Sequence, residues 1–276
     1  MFIFFLVAGT TGEGVTMSVN ERKQVLEAWI QASKGKDVHV IAHVGSEALS
    51  DVKELTLHAV ASGAVAIAAM PTSFFKPNDI EAILRYFEII SNLAPKTPLY
   101  YYHLAIKTGV FIRCDKLLIR VAELQKEGKL LNFRGIKYSD ADLHILSNCL
   151  ALHNGMFDCL YGKDEQFLGA WAMGCKGAVG STYNYMGRTY NRMIEAANKG
   201  DMVTALAEQR KAQLGVDLLY NSADYGHPAA HVGKAIMSLR LGGKYCGPPR
   251  APMVAVTPAG MEKLKADLTK LGFFDW

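Results

Sequence analysis

The feature that most constrains the fold of this chain is a regular alternation between short apolar runs and longer amphipathic segments. Apolar runs typical of buried strands occupy residues 2–7, 38–43, 65–70, 99–102, 133–137, 157–161 and 177–180. Segments with helical spacing of their apolar residues occupy 18–32, 49–62, 79–93 and 116–126. The first of these helices opens with Ser18 and Glu21 at the spacing of a capping box. Beyond residue 180 the pattern is entirely helical, so we predict a parallel α/β sheet followed by a helical bundle.

Seven predicted strands suit two architectures. An open doubly wound sheet accommodates them directly, and a closed eight-stranded barrel accommodates them if one strand is missing. The length of 276 residues is ordinary for a barrel, which typically forms one domain of roughly 250 residues. The strand pattern alone leaves both architectures open.

Composition and charge exclude several classes of protein. The chain is 50% hydrophobic and 20% charged, which is typical of a globular protein. Its net charge of +4 is spread along the sequence, so nucleic acid is not an expected partner. The five cysteines are scattered, which favours a reducing compartment. The apolar start has no basic segment, and no run reaches the ~20 residues of a membrane span. We therefore predict a soluble, cytoplasmic protein without a membrane partner.

Polar or glycine-rich motifs follow five of the predicted strands, at the end where parallel α/β folds place functional groups. In chain order they are GTTGEG, YYYH, KYS, YGKDEQ and GSTYN. GTTGEG, at residues 9–14, can direct backbone amides and two hydroxyls at one small anion such as a carboxylate. Taken alone it also suits a simple turn. It is not a nucleotide-binding P-loop, because the Gly-Lys-Ser/Thr ending is missing.

A single lysine, Lys137, lies at the end of the fifth strand in the stretch FRGIKYSD. Burying a charged ammonium group is costly. Burial can lower a lysine pKa by several units from about 10.4 and so supply a free amine. Such an amine attacks ketones and forms a Schiff base, which acts as an electron sink when a C–C bond is made or broken. The alternative is a structural lysine paired with Asp140.

Three further positions have both a chemical and a structural interpretation. Tyr102 shares a strand face with Tyr100, and its phenol can pass a proton between a substrate hydroxyl and a substrate carboxylate. Packing in the core is the alternative. Asp164 and Glu165 suit the first turn of a helix, and they also suit hydrogen bonds to a polyhydroxylated substrate.

The motif HPAAH places His227 and His231 at a spacing that could bind zinc on a helix. It lacks the glutamate of the His-Glu-x-x-His motif, and Pro228 suits the first turn of a helix. We therefore predict no metal site.

Five motifs in this order, VAGTTGEG, YYYH, FRGIKYSD, YGKDEQ and GAVGSTYNYMG, resemble those of the N-acetylneuraminate lyase (sialic acid aldolase) family. That family belongs to the pyruvate-dependent class I aldolase superfamily, which includes dihydrodipicolinate synthase. The resemblance extends from about residue 4 to residue 252. It implies a (β/α)8 TIM barrel with a C-terminal extension of three helices, usually assembled as a homotetramer. We expect a catalytic barrel domain over residues 1–198 and a helical extension packed on it over residues 199–276.

The resemblance also implies an activity in carbohydrate metabolism and a set of site residues. The activity is a carbon–carbon lyase that reversibly cleaves N-acetylneuraminate to N-acetylmannosamine and pyruvate, without a metal or an organic cofactor. Lys137 would form the Schiff base with pyruvate, and Tyr102 would relay the proton. The implied substrate-binding residues are Thr10 and Thr11 for the pyruvate carboxylate, and Ser139, Gly162, Asp164, Glu165 and Ser181 for the sugar acid, with the two carboxylates binding its glycerol side chain.

Three departures from the family pattern keep alternatives open. Family members carry a strand and a helix before the GTTGEG strand, so either the sequence is incomplete at its N-terminus or the barrel is open at one seam. An open barrel would favour an inactive homologue. Ala105 replaces a usual proline and Lys107 replaces the arginine of the synthase branch, which leaves open a related aldolase that uses another aldehyde. Residues 70–77, MPTSFFKP, lack the tyrosine that many superfamily members donate across a subunit contact, which implies a shorter proton relay or one that uses water.

Overall fold

The computed structural model describes residues 3–228, 230–243 and 247–276, and its central feature is a parallel β-sheet. Within these residues the sheet has seven strands, and their spatial order follows the chain. They are β1 (Ile3–Val7), β2 (Val38–His43), β3 (Ala66–Ala69), β4 (Leu99–His103), β5 (Phe133–Tyr138), β6 (Asp158–Tyr161) and β7 (Gly177–Ala178). Each strand pairs in parallel with the next, and among the described residues β1 and β7 each have one strand partner. The prediction of a parallel α/β sheet with seven strands is confirmed. Phe2, the predicted first strand residue, and Cys246 lie outside the described residues.

Helices connect the strands and continue after β7. In chain order they are α1 (Val19–Ser33), α2 (Leu49–Ser62), α3 (Ile80–Leu93), α4 (Ala105–Thr108), α5 (Cys114–Lys126), α6 (Leu143–Ala151), α7 (Phe167–Ala172), α8 (Tyr183–Asn198), α9 (Met202–Tyr220), α10 (Val232–Arg240) and α11 (Pro258–Lys270). The predicted capping box at the start of α1 is present, with the Glu21 amide donating to Ser18 Oγ and the Ser18 amide donating to Glu21 Oε2. None of the helices in the described ranges is long and apolar enough to cross a membrane.

The chain forms two compact units. The first comprises residues 1–163 and 170–179 and contains the sheet, and the second comprises residues 164–169 and 180–276. The predicted domain boundary at residue 198 stays a prediction.

Side chains on the two faces of the sheet have different roles. On one face, Phe87 of α3 contacts Tyr101 of β4 and Phe133 of β5, with ring centroids 5.5 and 6.0 Å apart. These buried aromatic rings attach α3 to the sheet. On the other face, apolar residues of β2 and β3 pack with Leu6 and Tyr100. Because strand side chains alternate, Tyr102 projects from the same face as Tyr100.

Candidate active site

Lys137 lies near the end of β5 with only 8% of its surface exposed. Its Nζ atom is 4.0 Å from the centroid of the Tyr102 ring, and the two residues are register partners in the pairing of β4 with β5. A register shift between Leu99 and Tyr100 makes this possible, since Leu99 pairs with Phe133 but Tyr100 pairs with Gly135. A shift of one residue reverses the face on which every later side chain of a strand lies.

The alternative of a lysine paired with Asp140 is not what the structure shows. Asp140 Oδ2 lies 3.6 Å from Nε2 of the buried His103 instead. Across the part of the chain that the structure describes, no carboxylate lies within 4.0 Å of Lys137 Nζ. The Lys137 amine is therefore buried and lies over an aromatic ring, an environment that suits a nucleophile.

Tyr102 connects the lysine to the glycine-rich turn after β1. Its side chain is 3% exposed, and its hydroxyl lies 3.1 Å from Thr10 Oγ1. Thr10 and Thr11 are exposed, so their hydroxyls are accessible to a ligand. The amides of Glu13 and Gly14 are used inside the turn, where they donate to the carbonyls of Thr10 and Gly9.

His43, at the end of β2, is a member of this cluster that the motif analysis missed. Its ring is edge-on to Tyr102 with centroids 6.1 Å apart, and its Nε2 accepts a hydrogen bond of 3.3 Å from the Met70 amide. Burial, followed by the charges of Arg22 and Lys137, lowers the pKa of His43 to about 3. The imidazole is therefore neutral at physiological pH.

Ser139 and Gly162 lie side by side at the ends of β5 and β6. The Ser139 amide donates to the His103 carbonyl at 2.9 Å, and the Gly162 amide donates to the Tyr138 carbonyl at 2.8 Å. A Cβ atom on Gly162 would lie 2.0 Å from Ser139 Oγ. Glycine leaves the serine hydroxyl in this position, whereas any larger residue would displace it.

Asp164, Glu165 and Ser181 belong to the second compact unit. Asp164 is 4% exposed, and its Oδ2 accepts hydrogen bonds from the amide and hydroxyl of Thr182 at 2.8 and 2.6 Å. The Asp164 carboxylate lies where a Cβ atom on Gly180 would be, at 1.6 Å from Oδ1. Asp164 thus fixes the turn that carries Ser181, a structural role that the sequence interpretation did not include.

Glu165 and Ser181 are both half-buried. Tyr220 Oη donates to Glu165 Oε1 at 3.4 Å, and Asn184 Nδ2 donates to the Ser181 carbonyl at 2.8 Å. The structure thus brings Thr10, Tyr102 and Lys137 together in the first unit. The binding roles predicted for the remaining residues stay predictions.

The geometry of a buried lysine beside a strand-end tyrosine and a hydroxyl-bearing turn agrees with the family that the motifs resemble. The profile of the Dihydrodipicolinate synthetase family matches residues 4–271. The chain belongs to this family. The match covers nearly the whole sequence, so it confirms the expected superfamily.

Individual relatives show which members of this family the chain is similar to. The chain is 42% identical to the N-acetylneuraminate lyase of Gallus gallus over 266 residues, which is 96% of this chain and 83% of the relative. Among solved structures it is similar to Proteus mirabilis N-acetylneuraminate lyase, with 32% identity and a TM-score of 0.87, covering 99% of this chain and 87% of that one. A Ruminococcus gnavus sialic acid aldolase, solved as a catalytic lysine mutant, is 28% identical with a TM-score of 0.85 and covers 99% and 85%. The expected resemblance to sialic acid aldolases is confirmed.

Proposed function

We propose that this chain is a class I aldolase that reversibly cleaves N-acetylneuraminate to N-acetylmannosamine and pyruvate through a Schiff base. The observation that carries the proposal is the position of Lys137 Nζ, buried and 4.0 Å from the centroid of the Tyr102 ring. The activities named for the relatives support the same reaction.

In the first step, the free amine of Lys137 attacks the ketone carbon of the open-chain sugar acid. Loss of water gives a protonated imine, which stays covalently bound to the enzyme. Thr10 and Thr11 hold the adjacent carboxylate with their hydroxyls. This arrangement fixes the substrate by its keto-acid end, next to Tyr102.

In the second step, Tyr102 relays the proton of the substrate hydroxyl that becomes the aldehyde oxygen, giving its own phenolic proton to the bound substrate carboxylate as it accepts that of the hydroxyl. The C–C bond breaks, its electron pair moves into the imine to form an enamine, and N-acetylmannosamine leaves. The relayed proton then returns from the carboxylate through Tyr102 to the enamine carbon, and hydrolysis releases pyruvate and restores the amine. The 3.1 Å contact between Tyr102 Oη and Thr10 Oγ1 supports a short relay beside the bound carboxylate. The imine itself is the electron sink, so the proposed reaction requires no metal and no organic cofactor.

The sugar-acid part of the substrate is assigned by motif to five residues. They are Ser139, Gly162, Asp164, Glu165 and Ser181. Carboxylates and hydroxyls suit this role because they form hydrogen bonds with a polyhydroxylated chain. We propose that Asp164 combines its bonds to Thr182 with substrate binding, and that Glu165 binds the glycerol side chain with it.

The finer architecture is proposed on the same basis. The seven strands would correspond to strands two to eight of a (β/α)8 barrel. The catalytic domain would occupy residues 1–198, and the three-helix extension would occupy residues 199–276. We also propose a cytoplasmic homotetramer, and light scattering combined with gel filtration tests the subunit number.

Turnover of N-acetylneuraminate tests the proposed function. Purified full-length chain should release pyruvate from N-acetylneuraminate and should form N-acetylneuraminate from N-acetylmannosamine and pyruvate. A panel of other aldehydes, including ones with a carboxylate, examines the alternative suggested by Lys107, which is exposed. Faster turnover of another aldehyde would replace the proposed substrate. A folded chain inactive on every substrate would identify an inactive homologue.

A further inference from the structure

A closed ring of contacts beside Lys137 links four residues, namely His43, Met70, Thr10 and Tyr102. The Met70 amide donates to His43 Nε2 at 3.3 Å, and Thr10 Oγ1 lies 4.0 Å from Met70 Sδ. Thr10 Oγ1 in turn contacts Tyr102 Oη, and the Tyr102 ring meets the His43 ring edge-on. Tyr102 is thus supported from two sides, at its ring by His43 and at its hydroxyl by Thr10. His43 touches two of the other three members.

Arg22 fixes His43 to the end of β2. This residue lies in the first turn of α1 and is only 6% exposed. Its Nη2 donates to the His43 carbonyl at 2.6 Å and lies 3.2 Å from His43 Nδ1, while its Nη1 donates to the Gly45 carbonyl at 2.9 Å. A planar guanidinium with several fixed donors holds its partners in one geometry. A buried arginine used in this way gives the imidazole little freedom to move.

Both ring nitrogens of His43 face donors, namely Arg22 Nη2 and the Met70 amide. In the neutral ring one nitrogen accepts a hydrogen bond. A second proton on the ring would leave neither nitrogen able to accept a hydrogen bond, and it would add a positive charge near Arg22 and Lys137. His43 is therefore unsuited to proton transfer in the reaction. Any role of this residue depends on the shape of its ring and on its contacts.

We propose that His43, held by Arg22, is a positioning residue that keeps Tyr102 in place for the C–C bond-cleaving step. The inference rests on the proposed function, because Tyr102 needs positioning only if its hydroxyl handles the substrate proton. Without the imidazole edge, the Tyr102 ring can tilt away from Thr10 and from the imine on Lys137. A displacement of about 1 Å at a reacting group can lower a rate on the order of 100-fold.

A double-mutant cycle between His43→Gln and Tyr102→Phe tests this proposal. Glutamine can still offer an acceptor to the Met70 amide but lacks the ring that contacts Tyr102. If His43 acts through the Tyr102 hydroxyl, His43→Gln should lower kcat for N-acetylneuraminate cleavage on the order of 100-fold in the wild-type background. In the Tyr102→Phe background the same change should lower kcat by less than about threefold, because coupled residues are not additive. KM should change by less than about threefold in both backgrounds.

His39→Gln is the matched control, because His39 lies on the same strand and four residues further from its carboxyl end. It should leave kcat within about twofold of wild type, as expected for a surface substitution away from the site. Trapping of pyruvate with borohydride reports an intact Lys137 in every variant. The trapped fraction at saturating pyruvate should match wild type in both His43→Gln and His39→Gln.

Each outcome decides the proposal. Equal losses of kcat in the two backgrounds, or loss of the trapped adduct in folded His43→Gln, would overturn the role in positioning Tyr102. If His43→Gln does not fold, the cycle is repeated with His43→Phe, which keeps an edge-on ring, and the same non-additivity is expected with a smaller loss. A wild-type chain that neither traps pyruvate nor turns over N-acetylneuraminate would instead contradict the proposed function.

Discussion

Lowering the pH from 7.5 to 5.0 should destabilise this protein through His43, whose buried imidazole has a pKa of about 3 against an ordinary value near 6.5. Below pH 6.5 the unfolded chain binds a proton at this residue, whereas the folded chain stays unprotonated until the pH approaches 3. Stability contributed by the neutral ring is thus complete above pH 6.5 and is lost as the pH falls toward 3. With one pKa unit equal to about 1.4 kcal/mol, the loss at pH 5.0 is about 2 kcal/mol.

Urea denaturation followed by circular dichroism at the two pH values measures this loss, provided that the m-value is the same at both. Other groups also titrate, so the informative quantity is the difference between wild type and His43→Gln, in which position 43 cannot bind a proton. Between pH 7.5 and 5.0 wild type should lose about 2 kcal/mol more free energy of unfolding than the variant. The same pH dependence in both proteins would refute the argument that His43 is buried and neutral.

Other substitutions test separate parts of the structure. Gly162→Ala should displace the Ser139 hydroxyl and raise KM for N-acetylneuraminate on the order of 10-fold, as expected for a 1–2 kcal/mol loss of a hydrogen bond to substrate. Pyruvate trapping should be unchanged, and an unaltered KM would contradict the close approach of these residues. Thr182→Val removes one of the two hydrogen bonds from Thr182 to Asp164 Oδ2. It should lower the free energy of unfolding by about 1–3 kcal/mol in urea titrations. Wild-type stability of this variant would show that the buried carboxylate does not need the hydroxyl. Ser18→Ala removes the cap of α1 and should cost about 1 kcal/mol in the same assay, and a change below the error of the titration would mean that the cap is not formed in solution.

The sequence was sufficient for the parallel sheet because its strands and helices have distinct periods. Strand β2 and helix α2 have the bounds that the pattern predicts, at 38–43 and 49–62. The start of α1 was also predictable, since the capping box is a local pattern that needs no knowledge of distant residues.

The arrangement of Lys137 and Tyr102 could be predicted only in part. The rule that functional groups lie at strand ends selected both residues, but their pairing depends on the irregular register near Leu99. With regular pairing from Leu99 onward, Tyr102 would face Ile136 instead of Lys137. Short apolar strands carry no clear sequence signal for such a shift.

His43 and Arg22 were missed for a different reason. His43 ends a predicted strand, so the strand-end rule could have identified it had it been applied to β2. Arg22 lies in the first turn of an amphipathic helix, where an arginine is usually exposed, and its burial depends on contacts with β2. The bonds from Thr182 to Asp164 are likewise tertiary and leave no local pattern.

Reductive trapping with pyruvate and borohydride, followed by peptide mass mapping of the whole chain, tests directly whether Lys137 forms the Schiff base. We expect one irreversible pyruvate adduct on Lys137, absent from Lys137→Ala and retained in a surface control such as Lys129→Ala. A folded chain without an adduct, or an adduct that persists in Lys137→Ala, would contradict the assignment of Lys137 as the nucleophile.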